Sequence, residues 1–423
     1  MASGRQTRIL IVDDSAVMRS LIRSVLVGAA GLEVAGTAAD GESGLSAIES
    51  LRPDLVLLDV EMPVMDGLVT LKKLRARGHK MPVIMCSSLT QRGAKVTIEA
   101  LASGASDYVA KPAGQSGREA AIKALSLELI PKIQAFTSQA SSQPFTPALG
   151  APRTPLFMPP PPAFKSQPVT ASPTVLAIGV STGGPAALDI LLPALPGNFP
   201  LPVLIVQHMP ELFTKLFAER LNGRCQLRAR EAAEGDPVRS GVIYVAKGNW
   251  HLEVLPAARL GFPATLHLTQ GPLENHCRPA VDVLFRTAAQ VYASGVLAVV
   301  LTGMGSDGML GCRAIRELGG SVLAQDQASS AVWGMPGAVT NAGLAHRVLP
   351  LTAIAPEILR IVSRTNSEAR ELREAVVYSC KHPPVSTTTT FVSSSSGSPK
   401  TCSTPRATTS SRRASPNSSA TTE

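Results

Sequence analysis

Six short stretches of this chain are apolar at nearly every position: RILIV from residue 8, LVLL from 55, PVIMC from 82, VLAIGV from 175, PVLIV from 202 and VLAVVL from 296. A strand that alternates apolar and polar residues buries one face, whereas a strand that is apolar throughout must be covered on both. That requirement is met by a parallel sheet with helices on each side. The segments between the runs carry helical spacing. In AVMRSLIRSVL, for example, Val17, Leu21, Ile22, Val25 and Leu26 share one face.

The pattern predicts two α/β domains. Over residues 1–136, RILIV, LEVAGTA, DLVLLDV, PVIMCS and YVAKP give five strands, closed by the amphipathic helix REAAIKALSLELIPKIQAF, which is the order of a doubly wound five-stranded parallel domain. Residues 173–365 resume with TVLAIGV, PVLIVQH, VIYVAKG and GVLAVVLTG, a mostly parallel α/β domain, with antiparallel hairpin material expected around 242–255 and 262–270. Between them, residues 137–172 turn to Ser, Gln and Pro, including PPPP at 159–162, and read as a linker. Residues 366–423 form a C-terminal segment whose Ser/Thr-rich part holds too few apolar residues to fold.

A formal net charge of +9 raises nucleic acid as a partner, so the placement of the charge matters. Lys132, Arg153 and Lys165 between residues 131 and 172, with Lys381, Lys400, Arg406, Arg412 and Arg413 against Glu423 after residue 380, supply +7 of it. The basic balance therefore belongs to the linker and tail, and no nucleic-acid partner is expected. No run reaches the 18 or so apolar residues of a membrane span, and MASGRQTRIL lacks a signal core, so a cytoplasmic protein that is not integral to the membrane is expected. The six cysteines show no C-x-x-C pair or zinc spacing and read as reduced thiols.

In open parallel sheets, ligands gather beyond the carboxyl ends of the strands. In the first domain those ends carry Asp13 and Asp14, Asp59, Ser87 and Lys111. Clustered carboxylates need a cation to stay ionised together, and an oxygen-only site suits Mg²⁺. Asp59, alone at the end of the most apolar strand, is the candidate phosphoryl acceptor; Asp13 and Asp14 are the metal pair, with a lysine and a hydroxyl to stabilise phosphoryl oxygens. A single strand-end Asp reads more simply as a helix cap, and it is the full set that points to a site.

The second domain repeats the logic. LAIGVSTGGP puts Ser181 in a G-x-S-x-G frame after a strand, PVLIVQH ends at His208, and VLAVVLTGMGSD passes through a glycine-rich turn to Asp307. Such a set suits acyl transfer: Ser181 as nucleophile, His208 as base and Asp307 fixing the imidazole tautomer. N–H groups near Thr182 and Gly183, where a helix opens, and the turn at Met304 are the oxyanion candidates. Asp282 and Asp326 compete for the acid role. His79, His251, His267, His276 and His346 lack a strand-end context and read as structural or exposed. The order Ser, His, Asp also differs from the Ser, Asp, His of α/β-hydrolases.

The segments IVDDS, LLDVEMPVMDG, PVIMCSS and DYVAKP resemble a response-regulator receiver domain. IGVSTGGPAAL, VQHMP, RPAVDVLF, LTGMGSDG and AQDQASSAVWGMPGAV resemble the catalytic domain of the chemotaxis protein-glutamate methylesterases, the CheB family. The first resemblance implies phosphorylation of Asp59 by a histidine kinase, Mg²⁺ held by Asp13, Asp14 and Asp59, Ser87 as switch hydroxyl, Lys111 as phosphate-pairing lysine and Tyr108 as switch aromatic. The second implies hydrolysis of glutamate γ-methyl esters on methyl-accepting chemoreceptors, with deamidation of receptor glutamines, no cofactor for the esterase step, and a triad of Ser181, His208 and Asp307. A monomer is expected, regulated by a receiver that covers the Ser181 edge until phosphorylated. The competing reading is a signalling scaffold with a degenerate esterase site. One departure from the family stands out: Cys277 in CRPAVD occupies a place where relatives often carry histidine, and an effect on packing or on the substrate rim is expected.

Overall fold

The computed structural model describes residues 5–112, 117–138, 172–259 and 261–364; the expected linker and C-terminal segment lie almost wholly outside them. The first half is built from β1 (Thr7–Val12), α1 (Ala16–Val27), β2 (Leu32–Ala38), α2 (Gly41–Leu51), β3 (Leu55–Asp59), α3 (Gly67–Ala76), β4 (Val83–Ser87), α4 (Gln91–Ala102), β5 (Asp107–Ala110) and α5 (Arg118–Ser138). The strands form one parallel sheet in the order β2-β1-β3-β4-β5. Alternate residues of the apolar runs serve opposite faces. Leu10, Val12, Val56, Leu58, Val83 and Met85 pack on one side, and Ile9, Ile11, Leu55, Leu57, Ile84 and Cys86 on the other. Each fully buried Leu or Ile contributes roughly 2 kcal/mol, so a strand apolar on both faces is stable only where helices cover both.

The second half comprises β6 (Val175–Val180), α6 (Gly184–Leu191), β7 (Val203–Gln207), α7 (Glu211–Arg224), β8 (Arg228–Glu231), β9 (Val242–Val245), β10 (His251–Leu255), β11 (Thr265–Thr269), α8 (Val281–Tyr292), β12 (Val296–Val300), α9 (Met309–Glu317), β13 (Ser321–Gln325), α10 (Met335–Asn341) and β14 (Arg347–Leu349), followed by a helix over 351–364. Seven strands make a parallel sheet in the order β14-β13-β12-β6-β7-β9-β8. A separate two-stranded antiparallel sheet is formed by β10 and β11. Residues 242–245, expected in a hairpin, instead pair in parallel with β7, because Ile243, Tyr244 and Val245 are all buried and suit an interior strand. In β10 and β11 only Leu252, Val254 and Leu266 are buried of the central residues, with Glu253 and His267 facing out, the alternation of a sheet covered on one side.

The strand order reverses between β1 and β3 in the first sheet and between β6 and β12 in the second, where β9 also lies inside β8. Loops leaving the sheet in opposite directions open a crevice there. The two halves belong to one compact unit. Helix α4 packs on α6 and α7, and the Tyr108 ring stacks on Phe213 at 4.8 Å and 12°.

Candidate active site and phosphoacceptor cluster

Ser181 follows β6 directly. Its N–H donates to Thr302 O at 3.1 Å, and its carbonyl accepts from Gly184 N at 2.8 Å, closing a tight turn into α6. Gly183 is needed in that turn: its φ is +76°, and a Cβ there would sit 2.5 Å from the Ala331 Cβ. Behind it, Gln207 Nε2 donates to the carbonyls of Ser181 and His208 at 3.0 and 3.3 Å, tying together the ends of β6 and β7. The Met304 turn presses on the same point, since a Cβ at Gly303 would lie 2.9 Å from that of Ser181. Thr182 is buried, and its carbonyl accepts from Thr302 Oγ1.

His208 is 14% exposed at its side chain, and its Nε2 lies 2.8 Å from Asp307 Oδ2. Asp307 in turn caps α8 from outside: it accepts from Val281 N at 2.7 Å, Asp282 N at 3.0 Å and Gly308 N at 2.9 Å, together with Asn275 Nδ2 at 2.9 Å. Burial alone would raise its pKa. The His208 hydrogen bond and charge, with the N–H groups of the helix terminus, outweigh that and hold the carboxyl below its usual range. Burial likewise disfavours a charged His208, but the Asp307 and Cys277 contacts prevail and raise its pKa to about 9. Of the three acids considered for the pair, only Asp307 reaches the imidazole. Asp282 accepts from Gly311 N and Asn275, and Asp326 from the N–H and hydroxyl of Ser329.

Because the folded His208 pKa stands above its ordinary 6.5, the imidazolium stabilises the fold fully below that value and the stabilisation is lost as pH rises through about 9. The thermal midpoint is expected to fall between about pH 7 and about pH 10, and His208→Gln to flatten the fall. Equal pH dependence in both proteins would refute the raised value.

The sequence pattern does not place three neighbours of this pair. Cys277 Sγ lies 3.6 Å from His208 Nδ1, so its effect falls on the ring as well as on the rim. Asn275 links Asp307 to Asp282, and Gln207 braces two strand ends. His251 is fixed between Pro272 O and Ala280 N, whereas His276 lines the cleft. That cleft, about 860 Å³, has Ser181, His208, Cys277 and Met304 on one side and Tyr108, Leu127, Glu128 and Lys132 of the first domain on the other.

At the first crevice, Lys111 Nζ lies 2.9 Å from Asp13 Oδ2 and 2.8 Å from Asp59 Oδ1. Oxygens of Asp13, Asp14 and Asp59 come within 4.8 Å of one another, Asp13 and Asp59 buried and Asp14 exposed. Burial first, and the Asp13 charge beside it, push Asp59 to about 6 against the pull of Lys111. Asp13 Oδ2 receives no well-directed hydrogen bond. Hard oxygens crowded around one lysine, one of them poorly satisfied, fit a small divalent cation such as Mg²⁺. Ser87 Oγ, at the end of β4, accepts from Thr97 Oγ1 at 2.7 Å, and Lys132 Nζ donates to Tyr108 O at 2.5 Å while standing 5.0 Å over its ring.

Residues 9–123 match the family model of the response regulator receiver domain and residues 176–358 that of the CheB methylesterase. The chain is thus a response regulator with an enzyme as its output domain. More particularly, it belongs to the family of the protein-glutamate methylesterase/protein-glutamine glutaminases. The protein of that name from Trichodesmium erythraeum is 48% identical over 353 residues, which are 84% of this chain and 98% of the relative. That of a Nocardioides species is 48% identical over 357 residues, 84% and 96% of the two chains. The catalytic domain of Thermotoga maritima CheB methylesterase is 41% identical, covers 45% of this chain and 100% of its own, and superposes with a TM-score of 0.44.

Proposed function

We propose that this protein is a phosphorylation-activated esterase that hydrolyses glutamate γ-methyl esters on chemoreceptors to glutamate and methanol, and deamidates receptor glutamines at the same site. The observation that carries this reading is the His208–Asp307 pair, held at 2.8 Å in a cleft shared with Ser181. Asp307 accepts from Nε2, so when the ring loses its proton, as it does increasingly toward pH 9, Nε2 keeps its hydrogen and Nδ1 becomes the base. Ser181 Oγ attacks the γ-carbonyl as its proton passes to Nδ1. N–H groups around Thr182, Gly183 and Met304 stabilise the oxyanion. Nδ1–H then protonates the departing methanol, or ammonia from a glutamine, and water activated by the same nitrogen hydrolyses the acyl-enzyme.

In the receiver, Asp13, Asp14 and Asp59 would hold Mg²⁺, which neutralises their charge and that of a phosphoryl group. Asp59 accepts the phosphoryl from a histidine kinase, Lys111 pairs with its oxygens, and Ser87 moves toward it, giving up its bond from Thr97. Tyr108, adjacent to that region, is the ring stacked on Phe213, so its rearrangement weakens the receiver's hold beside the cleft. A tenfold activation needs only about 1.4 kcal/mol of differential stability. The proposed setting is a cytoplasmic monomer acting on the inner portion of its receptors. Among the described residues no helix is long and apolar enough to cross a membrane. The scaffold reading is not favoured, because the acid–base pair is intact.

The direct test is the initial rate of methanol release from esterified receptor with Mg²⁺, before and after a small-molecule phosphodonor. Release should rise about tenfold. No release in either condition would overturn the esterase reading, and an unchanged basal rate would overturn the coupling.

A further inference from the structure

Two carboxylates lie side by side beneath the cleft, and only one of them meets the imidazole. Asp282 and Asp307 are 1% and 2% exposed. Asn275 is the one side chain among the described residues that donates to both, its Nδ2 standing 3.0 Å from Asp282 Oδ2 and 2.9 Å from Asp307 Oδ1. An NH₂ group has two hydrogens, one for each acid. The flipped amide would aim an oxygen at two carboxylates, so chemistry sets the orientation.

Like charges this close compete for protons. Burial, and then the charge of Asp307, push Asp282 upward despite its bond from Gly311 N. The other charged or titratable groups facing the pair are His208, Cys277, the buried Cys312 thiol of α9 and the Glu274–Arg286 ion pair. A proton shared between the two acids would sit on an oxygen that Asp307 needs as an acceptor.

The chain around Asn275 is shaped to make the contact. Asn275 and His276 have φ of +51° and +62°, and Glu274 and Cys277 exchange backbone hydrogen bonds at 3.1 and 2.9 Å, a two-residue turn of the kind that favours asparagine at its first central position. Though exposed at the rim, Asn275 turns its amide inward onto the acids, while Cys277 at the end of the same turn meets the base.

Resting on the esterase reading above, we propose that Asn275 is a positioning residue of the hydrolytic site: by donating one N–H to each acid it holds Asp307 as the ionised acceptor for His208 and keeps Asp282 from taking that place.

The test uses the full chain with Asn275→Gly, which suits the left-handed turn and removes the amide, and Asn275→Asp, which keeps the shape and replaces the donor. His208 is followed by NMR titration of its imidazole, a readout that needs no substrate. Removing a donor makes Asp307 a stronger base, so the His208 midpoint should rise by about half a unit or more in the glycine variant, and further in the aspartate variant at pH values where the introduced carboxyl is ionised. With esterified receptor, kcat should fall roughly 10- to 100-fold while KM stays within about threefold, as expected of a misoriented base. An unmoved midpoint in both variants overturns the proposal. If instead Ser181→Ala releases methanol as fast as the unaltered protein, the esterase reading fails, and the titration still decides the role of Asn275.

Discussion

Ser181→Ala is expected to slow methanol release by roughly 10⁴- to 10⁶-fold, the scale seen when a triad nucleophile is removed. The loss should fall on kcat, because the alanine still fits a turn fixed by Gly183, Gly184 and the Thr302 carbonyl, and the cleft walls do not change. Receptor binding and the thermal midpoint should stay close to those of the parent. What remains would be the contribution of the oxyanion donors and of substrate positioning. A loss of tenfold or less would move the nucleophile elsewhere. Cys277, whose sulfur lies 3.6 Å from His208 Nδ1, would then be the first residue to replace.

Asp307→Asn should cost about 10⁴-fold in kcat, since an asparagine there favours the wrong imidazole tautomer. The surroundings make this demanding. Asp307 receives N–H groups from Val281, Asp282, Gly308 and Asn275 besides the imidazole, so all of its neighbours are donors. An asparagine NH₂ must point at some of them. If its oxygen stays on the α8 terminus, the NH₂ faces His208, and Nε2 becomes the acceptor while Nδ1 carries the proton and can no longer take one from Ser181. Loss of the carboxylate charge also lowers the His208 pKa, so raising the pH should not rescue the rate. The measurement is kcat across the pH range, with circular dichroism to confirm folding. A loss below about a hundredfold would remove Asp307 from the proton path.

Much of the architecture is written in local pattern. RILIV, LVLL and VLAVVL are apolar at both odd and even positions, and that alone calls for a sheet covered on two sides. The same pattern places Asp13, Asp59, Ser181 and His208 at strand ends, where open sheets collect ligands, and Asp307 beyond the glycine-rich turn that follows one. VIYV at 242–245 is ambiguous in the same terms, because a short apolar run beside turn residues fits a hairpin strand or an interior one; burial on both faces decides for the interior. Cys277 is legible as a departure, but not as a neighbour of the base.

The two parallel sheets, the residues at their crevices and the family are therefore readable without coordinates, since each follows from periodicity or from short contiguous motifs. Folding in three dimensions was needed to select which acid meets His208, to join Asn275 to both Asp307 and Asp282, to lay Cys277 against the imidazole and to stack Tyr108 on Phe213. These contacts join residues 99, 32, 69 and 105 positions apart. Only Asn275 and Asp282, seven residues apart, share a short window of sequence. The other contacts depend on how loops leave the strand ends and on how the helices of one sheet pack against those of the other, where close packing selects a single arrangement.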